Sequence, residues 1–332
     1  MKNNSLVSVI MSTLNTKEEY LIPAIESILN QTYKNLELII VIDGGNDDIL
    51  IKKVFDDNRI KFIKHDTPMG LPYSLNEAID MCKGDYIARM DSDDISLKNR
   101  ISEQVNYMNK HRDIDICSVF YKKFGSKNKY VYNIWPSYND VKIQLIYTNV
   151  LAHPGIIFRR KFLEKFNLKY SIEYKYSQDF EFWNRCKKYG NVSILPKFLL
   201  KYRMHSSQIS TDKKVEQRRL YDKVLIRNLQ ELGFDADNLK FISMLNENEK
   251  NIDFKELSNF IDNIIKNNTG ENNVRSLKKV LYSKFFVLWL KNGTIKTLND
   301  KNIVNKIFRF NNLIYIIKKI YYKIYTKIFI IR

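Results

Sequence analysis

The stretch YIARMDSDDI, residues 86–95, places Asp91, Asp93 and Asp94 within four positions, directly after an apolar run that reads as a strand. Carboxylates this close repel one another and need a positive charge to gather them. A D-x-D spacing on the turn after a strand suits a hard divalent ion. Carboxylate oxygens hold Mg2+ or Mn2+, which keeps coordination positions open for diphosphate oxygens, and such an ion offsets the charge that builds on a departing diphosphate. The same acids also suit a helix N-terminus, because Asp and Ser are favoured there and residues 95–111 carry a helical pattern. On DSDD alone both readings stand.

Acids at a strand end need a sheet to hold them. LVSVIMS (6–12), LELIIVID (36–43), RIKFIKH (59–65) and DYIARM (85–90) read as four strands. Between them, TKEEYLIPAIESILNQ has helical apolar spacing with Thr16 and Glu19 at capping-box distance, and LPYSLNEAIDMCKG has Pro72 early and Gly84 just past its end. Strands alternating with helices imply a mostly parallel sheet covered on both faces, with ligands beyond the carboxyl ends of the strands. The polar residues at those ends are Thr13 and Asn15, then Asp43 with Gly44 and Gly45, then the three acids. DGGNDD is not a GxGxxG fingerprint and no GK[ST] sequence occurs, so a dinucleotide dehydrogenase and a P-loop nucleoside triphosphatase are poorly supported.

After residue 95 strands and helices mix. DIDICSVF (113–120) reads as a strand, YVYNIWP as an edge strand, NDVKIQLIYTN as a helix, LAHPGIIFRRKFL as a short strand ending in two arginines, and YSQDFEFWNRCKKYG (176–190) as a helix followed by the segments NVSILP and FLLKYRMHSSQIS. From Lys213 to about residue 300 only helical patterning remains. The domain reading is therefore 1–212 for the sheet domain, 213–300 for a helical extension and 301–332 for a basic tail.

With 332 residues, 44% hydrophobic, the chain has ample material for a core. Its net charge of +18 suggests an anionic partner, although Lys-rich composition is spread along the whole chain. Three cysteines without a CxxC pair fit a reducing, cytoplasmic setting, and the apolar run Leu6–Met11 is too short for a signal-peptide core.

Taken in order, VSVIMSTLN, IIVIDGGNDD, GLPYSLNEAIDMCKGDYIARMDSDDI, SQDFEFWNR and YRMHSSQIS make residues 6–212 resemble glycosyltransferase family 2. The resemblance implies the GT-A nucleotide-diphospho-sugar fold and metal-dependent transfer of a sugar, with inversion, from a UDP-sugar to a hydroxyl of a saccharide or lipid-linked acceptor, in the synthesis of surface polysaccharide. It implies Thr13, Asn15 and Asp43 beside the nucleotide, with Asp43 near uracil. It also implies Asp93 on the metal, Asp91 on ribose or metal, and Asp179 as general base. Asp94 is then left to cap the next helix or support its neighbours. Without the resemblance, Asp179 reads first as a solvated acid at a helix start and only second as a base. The chain departs from the family at Ile42, Gly45, Leu75 and Gln178. Leu75 stands where a cation is common, which leaves the diphosphate to the metal, His205 and Arg203.

His205 is assigned to the diphosphate or metal by the same resemblance. His153 is read as acceptor-side or turn-stabilising, Arg159 as steering an acceptor or solvated with Arg160, and Trp183 as sugar platform or core. His65 and His111 find no matching partners and read as surface residues.

The tail LIYIIKKIYYKIYTKIFIIR (313–332) aligns Leu313, Ile317, Ile320, Ile324, Ile328 and Ile331 on one helical stripe, and from Lys301 to Arg332 eight basic residues face no acidic one. This pattern suits first an anionic membrane surface, with the protein peripheral on the inner face of the cell membrane, and second a helix packed on its own domain. A sugar nucleotidyltransferase would want a Gly-rich basic loop where MSTLNTKEE stands. A nucleic-acid-binding protein would account for the charge but not for Asp179 and the ordered motifs.

Overall fold

Strands buried on both faces read as unbroken apolar runs, and the three longest runs of the first hundred residues lie at the centre of a sheet. The computed structural model describes residues 5–205, 213–245, 252–267, 271–293, 297, 299–308 and 310–328. The strands are β1 (Val7–Thr13), β2 (Leu36–Asp43), β3 (Ile60–His65), β4 (Tyr86–Asp91), β5 (Ile95–Ser96), β6 (Ile116–Gly125), β7 (Lys129–Val131), β8 (Ile157–Arg159) and β9 (Val192–Met204). They form one sheet in the order β3-β2-β1-β4-β8-β6-β9-β5, with β7 on β6. The block β3-β2-β1-β4 is parallel, as is the pair β6-β9. Every residue of β2 is buried, and Val7, Val9 and Met11 of β1 join it in the core.

The helices that cover this sheet are α1 (Glu18–Leu29), α2 (Asp47–Val54), α3 (Leu71–Met81), α4 (Arg100–Lys110), α5 (Tyr138–Tyr147), α6 (Arg160–Lys165) and α7 (Gln178–Tyr189), with α5 excepted as described below. Beyond them every described element is helical: α8 (Lys214–Glu231), α9 (Leu239–Leu245), α10 (Phe254–Asn267), α11 (Glu271–Asn292), α12 (Lys301–Ile307) and α13 (Phe310–Ile328), apart from short 3-10 turns. The expected mostly parallel sheet followed by a helical region is the architecture found.

Three local expectations change. The segment after the acids is not helical from residue 95. Ile95 and Ser96 pair with Lys201 and Leu200, the Leu97 amide donates to Leu199 O at 3.0 Å, and α4 starts at Arg100. NVSILP and FLLKYRMH merge into the single strand β9. It passes Pro196 at an irregularity of the β6 ladder, where Val119 faces Leu195 and Phe120 faces Phe198, so the proline owes no ladder bond. The capping box of α1 does not form, because Thr16 bonds elsewhere and Lys17 stands at the cap with no side-chain bond.

The chain divides into two compact units, 1–133 with 151–220, and 134–150 with 221–332. The boundary read from sequence at residue 212 therefore misses a segment: α5 belongs with the second unit. There Asp140 pairs with Lys279 at 2.6 Å and Leu145 O accepts from Asn228 at 3.1 Å. That unit has its own buried core, including Val224, Leu257, Ile261, Phe285 and Leu288.

Candidate functional site

From β1 the chain moves through β2 and β3 to one side, whereas β4 lies on the other side of β1. A crevice forms beyond the carboxyl ends at such a reversal. Ser12 faces Asp91 across it, so the segments after β1 and after β4 meet there. Thr13 is buried, and its hydroxyl donates to Asp47 Oδ2 at 2.5 Å. Asp47 also accepts from the Thr16 amide at 3.3 Å, and Thr16 Oγ1 lies 2.8 Å from both Thr13 Oγ1 and Ser92 Oγ. Asn15 is exposed, with φ of 50°, and its side chain occupies the space that a Cβ on Gly45 would need.

The three acids gather as their spacing suggests: one oxygen from each lies within 4.8 Å of the others. Asp91 pairs with Arg89, two residues earlier on the same strand face. Asp93 Oδ2 lies 2.8 Å from His205 Nε2, delivered by the end of β9. Asp94 is fully buried, and its Oδ1 accepts from the Arg203 amide at 2.7 Å while its Oδ2 has no hydrogen-bond partner among the described residues. Arg203 also donates from Nε to Asp93 O at 2.7 Å, and its guanidinium lies between the rings of Tyr20 and Phe124, at 4.5 and 4.6 Å. Asp94 therefore does not cap a helix; it is enclosed between the turn after β4 and the end of β9.

Burial raises the pKa of Asp91; Arg89 pulls it back, and Asp93 and Asp179 push it up again, leaving it above the usual carboxylate value. Burial, then Asp91 and Asp93, raise Asp94 well above that value. The cluster thus lacks positive charge. Hard oxygen donors, one of them buried and unmatched, fit a divalent cation such as Mn2+ or Mg2+.

Asp179 stands in the first turn of α7, where its Oδ1 accepts from the Phe180 amide at 2.7 Å, near enough to Asp91 to act on it electrostatically. Of the residues read as acceptor-side, two are buried and the third lies at the other end of the sheet. His153 is buried, with Nε2 2.9 Å from Tyr170 Oη, and its ring meets that of Trp183 at 5.7 Å. Trp183 is fully buried. Arg159 faces Tyr86 at the amino end of β4, the far end of the strand from Asp91, and donates to Ile114 O and Met108 O at 2.8 and 2.7 Å. These positions correct the acceptor-side reading for Arg159 and Trp183, since Trp183 is a core residue and Arg159 braces the opposite sheet end, while His153 is buried against Tyr170.

Asp43 is buried at the end of β2. Its Oδ1 accepts from the Met69 amide at 2.7 Å and its Oδ2 from the Gly70 amide at 2.8 Å. Burial works against its charge, but these bonds and His65 outweigh burial and hold its pKa below the usual value. His65 is not a surface residue: its side chain is 10% exposed and lies between Asp43 and Glu77. Sequence reading missed Asp47, Ser92, Arg89 and this histidine. Only Arg89 carried a signal, a charge inside an apolar strand two positions before an acid.

Residues 8–166 match the family described as Glycosyl transferase family 2. An uncharacterised glycosyltransferase of Methanocaldococcus jannaschii is 36% identical over 207 residues, which cover 60% of this chain and 71% of that protein. An Escherichia coli protein named UDP-Glc:alpha-D-GlcNAc-diphosphoundecaprenol beta-1,3-glucosyltransferase is 29% identical, covering 65% of this chain and 84% of its own. Among solved structures, S. aureus TarS 1-349 in complex with UDP-GlcNAc superposes with a TM-score of 0.55 at 18% identity, covering 86% of this chain and 89% of that one, a likeness of fold. With the ordered motifs, the sheet and these relatives in agreement, the chain belongs to glycosyltransferase family 2, with the GT-A fold.

Proposed function

We propose that this glycosyltransferase moves a sugar from a nucleoside-diphosphate sugar, of which UDP-sugar is the first to test, to a hydroxyl of a saccharide or lipid-linked saccharide, with inversion. The observation that carries this reading is the gathering of Asp91, Asp93 and Asp94 at the reversal point of the sheet, with Asp179 near enough to act electrostatically on Asp91. Asp91 and Asp93, with His205 and the unmatched oxygen of Asp94, are the groups that would hold Mn2+ or Mg2+. When bound, such an ion supplies positive charge to the departing diphosphate. Thr13, Asn15 and Asp43 border the nucleotide in this reading, Thr13 by bracing its loop and Asp43 by fixing backbone.

The acceptor hydroxyl attacks the anomeric carbon from the face opposite the leaving group. The new oxygen–carbon bond forms, the carbon–oxygen bond to the diphosphate breaks, and the hydroxyl proton passes to the Asp179 carboxylate. A lipid-linked acceptor agrees with a peripheral position on the inner face of the membrane, held by the basic stripe of α13. No described helix is long and apolar enough to cross a membrane.

The test is a panel of sugar nucleotides with Mn2+ or Mg2+, read by released diphosphate, followed by proton NMR of the product. Asp179→Asn is expected to lower turnover by about 10²–10⁴-fold, the usual weight of a general base, with UDP binding kept. Undiminished turnover removes Asp179 from the role, and a retained anomeric configuration removes the single displacement.

A further inference from the structure

We propose that His65 is a positioning residue of the donor pocket: as an imidazolium bridging Asp43 and Glu77, it holds the Asp43 carboxylate on the backbone amides of Met69 and Gly70. This rests on the reading of a nucleotide-sugar site at the carboxyl ends of β1, β2 and β4.

Three elements meet at this ring. His65 ends β3, Asp43 ends β2, and Glu77 lies on α3. His65 Nδ1 is 2.8 Å from Asp43 Oδ1, and Nε2 makes a short contact with Glu77 Oε2. Only the protonated imidazole carries N–H on both nitrogens, and here each nitrogen faces a carboxylate oxygen. The charged groups facing the ring are thus Asp43 from β2 and Glu77 from α3, and the Tyr73 ring, also from α3, closes on it edge-on at 5.7 Å.

Asp43 passes this constraint on. Its Oδ1 is shared between His65 and the Met69 amide, and its Oδ2 takes the Gly70 amide, from which α3 begins. The same turn presses on the loop after β2: Pro68 lies 2.9 Å from where a Cβ on Gly44 would stand, and Gly44 has φ of 85°. The loops after β2 and β3 are therefore joined through one carboxylate, and that carboxylate is oriented by His65. A neutral ring leaves one acid without its donor and sets Asp43 and Glu77 against each other.

Burial disfavours the imidazolium, but Asp43 and Glu77 outweigh it and raise the His65 pKa above its ordinary value. The clamp is therefore complete once both carboxylates are ionised, and it is lost as pH rises through the raised His65 value.

The experiment compares wild type, His65→Gln and Glu77→Gln by calorimetric UDP binding, by donor KM and kcat, and by nitrogen–proton NMR, from mildly acidic to alkaline pH. In wild type, the Met69 and Gly70 amide resonances are expected to titrate together with the His65 ring, and UDP affinity to fall over the same range. His65→Gln should bind UDP about tenfold more weakly at neutral pH, a loss of roughly 1.4 kcal/mol, raise KM with kcat within about twofold of wild type, and lose the alkaline limb. Glu77→Gln should move that limb to lower pH. Glu77 is 37% exposed, so this variant serves if His65→Gln does not fold. Amides that ignore the His65 titration, or a His65→Gln protein that binds UDP like wild type across the range, overturn the proposal. Wild-type protein that binds no UDP while the amides still follow His65 counts against the donor reading and leaves the clamp standing.

Discussion

Gly45 shows how narrowly one residue can be specified. Its φ is 89°, and a Cβ there would collide with the Asn15 amide, itself held at a φ of 50°. Both the backbone and the neighbouring side chain demand glycine. Gly45→Ala is expected to destabilise the protein by about 1–2 kcal/mol through its left-handed backbone alone, with a larger proportional loss of UDP affinity, because Asn15 is displaced. Denaturant unfolding and UDP calorimetry check this; wild-type values in both would show that the loop absorbs the methyl. The acids teach a different lesson at this scale. Their convergence was legible from D-x-D after a strand, but the role of Asp94 was not. Its burial depends on Arg203, more than a hundred residues away in sequence, whose amide reaches Asp94 Oδ1.

Helix α13 is where sequence periodicity and structure meet at the element scale. Leu313, Ile317, Ile320, Tyr321 and Ile324 are about half exposed or more, while Lys318 turns inward, its ammonium 4.6 Å from the centre of the Trp135 ring. Burial, then Lys279, lower the Lys318 pKa, as expected for a lysine held against its own unit. Lys319 and Lys323 stay exposed beside the apolar stripe. Ile331 and the side chain of Ile328, also assigned to the stripe, lie outside the described residues. An apolar stripe with lysines and no acids suits an anionic lipid interface. Liposomes containing anionic lipid are expected to float the full chain and not a chain ending near residue 305, and Ile317→Asp with Ile320→Asp should reduce flotation at least tenfold. Raising salt should weaken binding as well, since each exposed lysine near the surface contributes about 1 kcal/mol that salt screens. Equal flotation of the full and shortened chains would sink the tail anchor. Elsewhere the misread elements have a common cause. The helical pattern from residue 95 yielded to β9, which claimed Ile95 and Ser96 as a strand, and the capping role of Thr16 yielded to Asp47 and Ser92.

For the whole molecule, electrostatics favours a bound cation. Asp91 and Asp94, both raised above the usual carboxylate value, make the metal-free protein less stable as pH rises through those values, because the folded state then gives up protons it held more tightly than the unfolded chain. Mn2+ or Mg2+ at a hundred times its dissociation constant should add about 2.7 kcal/mol of stability, seen as a rise of several degrees in melting temperature that a chelator reverses. Asp94→Asn should lose most of that rise while matching or exceeding wild type without metal; an undiminished rise would place the cation elsewhere. The net charge of +18 says little more by itself, since it is spread over both units as well as the tail. What the chain order alone determined was the alternation of strands and helices, the apolar interior of the parallel strands, the clustering of acids after β4 and the family, because these depend on neighbours within a few residues and on motif order. Only the tertiary structure decided that α5 joins the helical unit, that Trp183 is a core residue and His153 is buried against Tyr170, that Arg159 lies at the far sheet end, and that His65 stands between two carboxylates. Each of those outcomes depends on which distant segment packs against a side chain, and contact between segments remote in sequence leaves no mark in local spacing.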